Sequence, residues 1–206
     1  MGRTGITMNT FKIWNSSASE KQLREIVALL REGAIIIIPT DTMYAVAGDA
    51  LNMKAVERIC RLKGINPEKT NLSVICSDIS MASEYSRIDN RGFRLMKDNC
   101  PGPFTFLFRS ASTLPRAFRG RKTVGIRIPA CEIDRDLART LGNPLITTSI
   151  EYADEDYAVN PELIGEAYEG KVDLIVEGND GTTEVSTIVD CTGSEPEIVR
   201  QGIGEL

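Results

Sequence analysis

The residues that could carry chemistry in this 206-residue chain do not include histidine, because the sequence contains none. Catalysis by a Ser-His or Cys-His pair and metal centres with histidine ligands are therefore excluded. Any chemistry rests on lysine, arginine, carboxylates, hydroxyls, backbone amides or a metal held by oxygen atoms. Two segments gather such side chains along the chain, 39–44 (PTDTMY) and 145–149 (LITTS).

The first of these segments follows the apolar run 34–38 (AIIII), which predicts a strand buried on both faces. A proline ends the run, because proline cannot extend a strand inside a sheet. Open α/β sheets bind ligands where the chain leaves the carboxyl ends of their strands. The polar side chains at this point are Thr40, Asp41, Thr42 and Tyr44. The alternative is a turn whose side chains bond to their own backbone, and spacing alone leaves both open.

Two cations fall at positions where a ligand could reach them. Lys63 closes a predicted helix over 53–63, seven positions after the apolar Val56, so its stem lies near the core and its amine at the rim. A lysine in the last turn also complements the helix dipole, which is the alternative role. Arg127 interrupts the predicted strand 124–128. A buried arginine needs an anionic partner, either a carboxylate of this chain or a ligand phosphate.

The net charge of −5 is unevenly distributed along the chain. Residues 1–86 carry ten basic and nine acidic side chains, residues 87–127 carry ten and two, and residues 128–206 carry four and eighteen. A basic middle section in an acidic protein predicts binding of an anion or polyanion. Candidate RNA contacts in it are Arg116, Arg119, Arg121 and Lys122. The alternative is that these cations only balance the acidic last third.

The five cysteines are scattered and include no CxxC pair, which favours reduced thiols in the cytoplasm over disulfides or a zinc site. The chain has no run of eighteen apolar residues, so we expect no membrane span. Its first seventeen residues lack the apolar core of a secretory signal. These features predict a cytoplasmic protein.

Hydrophobic periodicity and helix-capping residues predict alternating helices and strands. A capping box at Ser19 and Gln22 starts the first helix, and Gly33 ends it. Further helices are predicted at 53–63, 79–85, 90–99, 131–142 and 161–168, and strands at 34–38, 72–76, 104–109, 124–128, 145–149, 172–177, 185–191 and 198–200. One α/β domain over 1–206 is the simplest account, with an arm or edge strand at 1–18 and some antiparallel pairing near 104–128 and 172–200.

Taken together, these segments resemble the YrdC/YciO family of threonylcarbamoyl-adenylate synthase-like proteins. The matching motifs occur in family order from about residue 20 to 202. They are PTDTMYAVAGDA (39–50), the helix ending in Lys63, PGPFTFLF (101–108), TVGIRIP (123–129), PLITTS (144–149), VDLIVEGN (172–179) and STIVD (186–190). One motif alone is weak evidence, whereas the ordered set is specific.

The resemblance implies a twisted open mixed sheet with helices and a concave, basic cavity. Members of the family are nucleotidyltransferases that condense L-threonine, bicarbonate and ATP, with Mg²⁺, to threonylcarbamoyl-AMP and diphosphate, which feeds a tRNA modification. Members are also described as double-stranded RNA binders. The resemblance assigns catalysis to Lys63, Arg127 and Ser149, with no metal site in the protein alone. It assigns substrate or nucleotide binding to Thr40, Thr42, Tyr44, Lys63, Thr105, Arg127, Thr147, Ser149, Ser186 and Arg200.

Three departures from the family pattern are present, and the first two weaken the expected triphosphate site. Synthases carry Lys-x-Arg where this chain has Lys63-Gly64-Ile65, and Ser-x-Asn where it has Ser149-Ile150-Glu151. Val185 stands where a glutamate often precedes Ser186. The absence of the arginine removes one charge-assisted contact, worth roughly 1.5–3 kcal/mol. These differences place the chain nearer the YciO-like branch. Two functions remain open, a synthase-type enzyme and a double-stranded RNA or tRNA-binding module of the same fold that lacks synthase activity.

Overall fold

The isoleucine run lies at the centre of the protein. The structure is a computed structural model and describes residues 9–13, 17–66, 72–111, 122–150, 159–179 and 181–206. Strand β2 (Ile35–Ile38) is buried along its whole length. Its side chains alternate between two apolar clusters, Ile35 and Ile37 in one and Ile36 and Ile38 in the other. The prediction of a strand covered on both faces is confirmed.

The described chain forms six helices and eleven strands. The strands are β1 (Asn9–Lys12), β2, β3 (Ala45–Asp49), β4 (Ser73–Ile75), β5 (Ser86–Arg87), β6 (Phe104–Ser110), β7 (Thr123–Arg127), β8 (Leu145–Ser149), β9 (Leu174–Glu177), β10 (Thr187–Asp190) and β11 (Glu197–Arg200). The helices are α1 (Glu20–Arg31), α2 (Met53–Lys63), α3 (Ile79–Tyr85), α4 (Asn90–Asn99), α5 (Glu132–Leu141) and α6 (Pro161–Tyr168).

All described strands join one mixed open sheet, in the order β1-β9-β2-β3-β8-β4-β7-β6-β10-β11, with β5 paired to β6. The pairs β6–β7 and β10–β11 are antiparallel, as the number of strands near 104–128 and 172–200 predicted. Strand β1 pairs in parallel with β9 at one end of the sheet, so the edge-strand alternative holds for residues 9–12.

Helices cover both faces of the sheet. Ile26 and Leu30 of α1 and Leu137 of α5 belong to one apolar cluster, whereas residues of α2, α3, α4 and α6 belong to the other. The capping box at Ser19 is present, since Ser19 Oγ accepts from the Gln22 amide and the Gln22 side chain accepts from the Ser19 amide. Helix α2 ends at Gly64, whose φ of 61° is the left-handed conformation that glycine adopts without strain.

Two strands were not predicted from the sequence. The segment Ala45–Asp49 follows the polar turn and forms β3, which is antiparallel to β2 and to β8. Its sequence, AVAGD, has only one β-branched residue, so propensity did not indicate a strand. Burial between two neighbouring strands stabilises it instead. The two-residue strand β5 was missed because it pairs only with the end of β6.

No helix within the described ranges is long and apolar enough to cross a membrane.

Candidate functional site

A cavity of about 240 Å³ lies over one face of the sheet. Its lining comes from alternate positions of neighbouring strands, such as Thr105 and Leu107 of β6 and Thr123 and Gly125 of β7. The intervening phenylalanines of β6 point into the apolar cluster on the opposite face. The other residues that line the cavity are Ala45, Leu72, Ser73, Arg127, Thr147, Thr148, Ser149, Ser186, Ile188, Val199 and Arg200.

Gly125 leaves room at the floor of the cavity. It pairs with Ser73 of β4 on one side and with Leu107 of β6 on the other. A Cβ added here would lie 3.2 Å from Thr105 Cγ2 and 3.4 Å from Ser73 Cβ. A side chain at this position would crowd Thr105 and Ser73 and would fill part of the cavity. Glycine therefore leaves this space open.

Hydroxyl groups across the cavity bond to one another in pairs. Thr105 Oγ1 and Ser186 Oγ lie 2.8 Å apart across the parallel β6–β10 pair, and both side chains are buried. Ser73 Oγ and Thr147 Oγ1 lie 3.3 Å apart between β4 and β8. Each hydroxyl oxygen has a further lone pair that its partner does not use. It can therefore also accept a hydrogen bond from a polar ligand while the sheet stays intact.

Arg127 forms the cationic wall at the end of β7. Its Nη2 donates to Asp41 Oδ1 at 2.8 Å and to Thr42 Oγ1 at 3.0 Å, and the other oxygen of Asp41 accepts from the Ala130 amide at 2.7 Å. The side chains of Arg127 and Asp41 are 8% and 10% exposed. The expected anionic partner of Arg127 is therefore a carboxylate of this chain.

Arg200 forms a second cationic wall from β11. Its Nη2 donates to the carbonyl oxygen of Ser186 at 2.7 Å and lies 3.1 Å from Ser186 Oγ. Partial burial, followed by the nearby charge of Arg127, lowers the pKa of the Arg200 guanidinium. The two arginines are thus near enough to repel each other, and an anion between them would relieve that repulsion. No carboxylate is among the described residues that line the cavity.

The polar turn after β2 supports the cavity without lining it. Thr40 Oγ1 donates to the Met43 carbonyl at 2.8 Å and accepts from the Thr42 amide at 3.0 Å. Tyr44 is fully buried, and its hydroxyl donates to the Asn179 carbonyl and accepts from the Gly178 amide. Thr40 and Tyr44, for which substrate binding is predicted, bond to the backbone in this structure and are not among the residues that line the cavity. Thr42 contacts Arg127.

Lys63 approaches the cavity at Ser149. Its Nζ donates to the Ser149 carbonyl oxygen at 3.1 Å, at the end of β8. Ile65 is half-buried and packs against the larger apolar cluster. Glu151, Arg116, Arg119 and Arg121 lie outside the described residues. Six of the ten predicted binding residues line the cavity: Thr105, Arg127, Thr147, Ser149, Ser186 and Arg200.

One buried carboxyl was not anticipated. Asp134, in the first turn of α5, is fully buried, and neither of its oxygens has a hydrogen-bond partner in the described structure. Burial raises the pKa of Asp134 well above its usual value, against the lowering effect of the nearby Arg127. The sequence did indicate this burial, because Asp134 lies three, four and seven positions before Leu137, Ala138 and Leu141. Residues at these spacings share one face of a helix.

The described residues offer no resident metal site, and Cys100 and Cys191 are not activated thiols. They contain no group of three or more Cys, Asp or Glu side chains able to hold a metal ion. The hydroxyls and arginines of the cavity do not form a Mg²⁺ site. Burial raises the pKa of Cys100 to about 12 and that of Cys191 to about 11, which leaves them as thiols at neutral pH.

Comparison with known proteins finds matches over nearly the whole chain. A family model described as "Telomere recombination", with the short name Sua5_yciO_yrdC, matches residues 28–202. YciO of Escherichia coli K12 is 35% identical over 199 residues, which are 95% of this chain and 96% of YciO. The crystal structure of E. coli YciO superposes with a TM-score of 0.87 at 34% identity, covering 96% of this chain and 97% of that one.

More distant matches include proteins that are named for a reaction. The threonylcarbamoyl-AMP synthase of Pyrococcus abyssi is 28% identical over 185 residues, which are 89% of this chain and 54% of the synthase. A crystal structure of P. abyssi Sua5 complexed with L-threonine has a TM-score of 0.83 at 25% identity and covers 94% of this chain and 57% of that one. The chain therefore spans little more than half the length of this relative.

Proposed function

This chain belongs to the Sua5/YciO/YrdC family, and we propose that it binds ATP and L-threonine in the sheet cavity and forms threonylcarbamoyl-AMP. The observation that carries the proposal is the cavity lining, in which two arginines and several hydroxyls face one space of about 240 Å³. Such a lining suits anionic, hydrogen-bonding ligands. The L-threonine complex of P. abyssi Sua5, a protein of the same fold, adds support.

The proposed reaction has two steps. The amine of L-threonine attacks the carbon of bicarbonate, water leaves, and a carbamate forms on the nitrogen. A carbamate oxygen then attacks the α-phosphorus of ATP, the bond from that phosphorus to the bridging oxygen breaks, and diphosphate leaves with its Mg²⁺. Neither step needs histidine, which the chain lacks. Because carbamate and phosphates are all anionic, most of the stabilisation must come from cations and hydrogen-bond donors.

The side chains divide this work by position. Arg200 and Arg127 supply positive charge on the two walls, and Arg127 is held in place by Asp41. The hydroxyls of Thr105, Ser186, Thr147 and Ser149 orient the amino acid and the phosphates. Lys63, whose amine touches the Ser149 carbonyl, places a third cation at the rim. The proposal includes a cytoplasmic location, where the five free cysteines stay reduced.

The proposal is tested by incubating the protein with ATP, Mg²⁺, bicarbonate and L-threonine and measuring diphosphate and the adenylate. Product should require both threonine and bicarbonate. Arg200→Gln should lower the rate at least tenfold, the cost of about one charge-assisted contact. Arg24→Gln removes an equal charge from the exposed face of α1 and should leave the rate unchanged. No diphosphate above the threonine-free blank would refute the proposal.

A second candidate function is double-stranded RNA or tRNA binding. It is favoured by the ten basic and two acidic side chains of residues 87–127, and by Lys122, which is exposed beside β7. RNA held through phosphates would bind more weakly as salt rises. Charge reversal at Arg119, Arg121 and Lys122 together should abolish a gel shift seen with duplex RNA at low salt. Absence of any shift at low salt would remove this candidate.

A further inference from the structure

A second depression, at the corner where β5, β6 and β7 meet, is lined by three cations and three hydroxyl residues. Its lining residues are Arg87, Arg109, Ser110, Lys122, Thr123 and Thr192, and its volume is about 470 Å³. None of the described lining residues is acidic. We call this surface the basic depression. It meets the sheet cavity at Thr123, which lines both.

Arg87 and Arg109 face each other across the β5–β6 pair, where they are direct register partners. Like charges directly opposite each other on neighbouring strands are destabilising. Within the described chain, neither arginine forms an ion pair. Arg109 Nη2 instead donates to the Thr192 carbonyl at 3.2 Å, which holds its side chain over the depression. Both arginines and Lys122 are exposed, so water screens part of the repulsion between them, and a bound anion would offset the rest.

Ser110 supplies a donor that has no partner. Its Oγ is buried, lines the basic depression and makes no hydrogen bond within the described chain. A buried hydroxyl without a partner costs about 1–3 kcal/mol. The position of Ser110 is fixed, because its amide donates to the Lys122 carbonyl at 2.9 Å. An oxyanion in the depression could accept from this hydroxyl as well as from the arginines.

We propose that the basic depression, formed by Arg87, Arg109 and Lys122 around Ser110, binds a phosphate group. Guanidinium groups match the oxygens of phosphate in pairs, and a lysine adds a point charge. Phosphate fits better than a monovalent carboxylate, because three cations gather there without a carboxylate among the described lining residues. The phosphate can belong to a free oligophosphate or to a nucleic-acid backbone. This site is separate from the arginine walls of the cavity and does not depend on the carbamoylation chemistry.

The direct test is a titration of the isotope-labelled protein with inorganic tripolyphosphate at low salt, followed by amide chemical shifts. The amides of Ser110, Thr123 and Thr192 should move together and saturate. Movement confined to Thr105, Thr147 and Ser186 would place the anion in the sheet cavity and overturn the proposal. Absence of any movement would also overturn it.

A charge-matched pair of variants tests the residues. Replacing Arg87, Arg109 and Lys122 by glutamine should weaken tripolyphosphate at this site by more than tenfold, since each of the three cations contributes a charge-assisted hydrogen bond. Replacing Lys21, Arg24 and Lys97 by glutamine removes the same charge from other exposed helical positions and should change the dissociation constant less than twofold. Equal weakening in the two variants would mean that only overall charge matters and would refute the site.

A second arm distinguishes the source of the phosphate. A short RNA duplex is titrated into both triple variants at several salt concentrations. If the source is a nucleic acid, replacing Arg87, Arg109 and Lys122 should reduce the slope of log affinity against log salt by about one for each phosphate left without its cation. If tripolyphosphate moves the same amides and the duplex does not, the source is a free phosphate compound. These variants leave Arg127 and Arg200 intact, so carbamoylation is tested independently.

Discussion

Arg127 and Asp41 form an ion pair of 2.8 Å between Nη2 and Oδ1, and it joins the end of β7 to the turn after β2. Both side chains are about nine-tenths buried. The pair fixes the guanidinium at the edge of the cavity and prevents it from turning away. It also neutralises part of the charge of Arg127, so Arg200 is the wall cation more open to an incoming anion.

Breaking this ion pair should destabilise the fold. Arg127→Met leaves Asp41 buried beside an apolar side chain, and removal of one partner of a buried pair costs about 3–5 kcal/mol. Urea unfolding measures the change. The double variant Arg127→Met, Asp41→Leu removes both charges and should recover most of the stability. Arg200→Met, at an exposed position, should cost less than about 1 kcal/mol. Similar destabilisation in Arg127→Met and Arg200→Met would contradict the buried-pair account.

Asp134 should make stability depend on pH in a direction opposite to that of a paired carboxylate. Its pKa is raised in the folded protein, so its contribution is fully favourable below the unfolded pKa and is lost as pH rises through the folded value. Asp134→Asn removes the charge and should stabilise the protein at pH 8, by roughly 1–3 kcal/mol. Near pH 4 the variant and the parent should differ little.

The matched control for this experiment is Asp136→Asn on the same helix. Asp136 is half-buried and pairs with Arg139, so its replacement should slightly destabilise the protein at pH 8. Unfolding in urea at the two pH values gives both comparisons. A stabilisation by Asp134→Asn that is equal at both pH values would show that the carboxyl does not change its charge between them.

Ile65→Arg should strengthen ATP binding. The position lies two residues after Lys63, whose amine reaches the cavity rim, and the synthases that this chain resembles have arginine there. A new charge-assisted contact should lower the ATP dissociation constant at least about tenfold, as measured by calorimetry. Removal of the half-buried isoleucine should cost some stability. Leu163→Arg adds the same charge on exposed α6, and an equal increase in affinity there would refute a specific contact.

Gly125→Ala should reduce ligand binding more than stability. Its added methyl group would lie 3.2 Å from Thr105 Cγ2 and rise into the cavity floor. We expect ATP or L-threonine affinity to fall at least about tenfold, equivalent to 1.4 kcal/mol. The midpoint of thermal unfolding should move by only a few degrees. Gly193→Ala, where the nearest atom is 3.6 Å away, is the control and should affect neither. Unchanged affinity in Gly125→Ala would exclude this cavity as the binding site.

The positions of the fold that sequence reasoning placed well are those governed by local rules. The Ser19 cap, the Gly64 stop and the four isoleucines of β2 each follow from the residue and its neighbours. Strand β3 was missed because it is stabilised by pairing with β2 and β8 rather than by its own residues. The mixed order of the sheet depends on contacts between distant segments. Hydrophobic periodicity within one segment contains no information about those contacts.

The candidate site was predicted in part for the same reason. The need of Arg127 for an anion followed from its place in a strand, but the sequence left a carboxylate and a ligand phosphate equally open. The structure supplies Asp41, eighty-six positions away along the chain. Tyr44 shows the reverse case, since a polar residue beside a predicted ligand turn proves to bond to the backbone at 178–179. Neither outcome is visible in local spacing.

Strand β11 carries Arg200 and Val199 to the cavity, yet all four of its residues are exposed, and within the described sheet it pairs only with β10. Segments with few buried contacts open at a small fraction of the global unfolding free energy. We therefore expect this wall of the cavity to open and reclose while the isoleucine strand and both apolar clusters stay intact. Amide hydrogens of β11 should exchange with solvent early. A ligand bound to Arg200 should slow that exchange, because it would hold the last strand against the sheet.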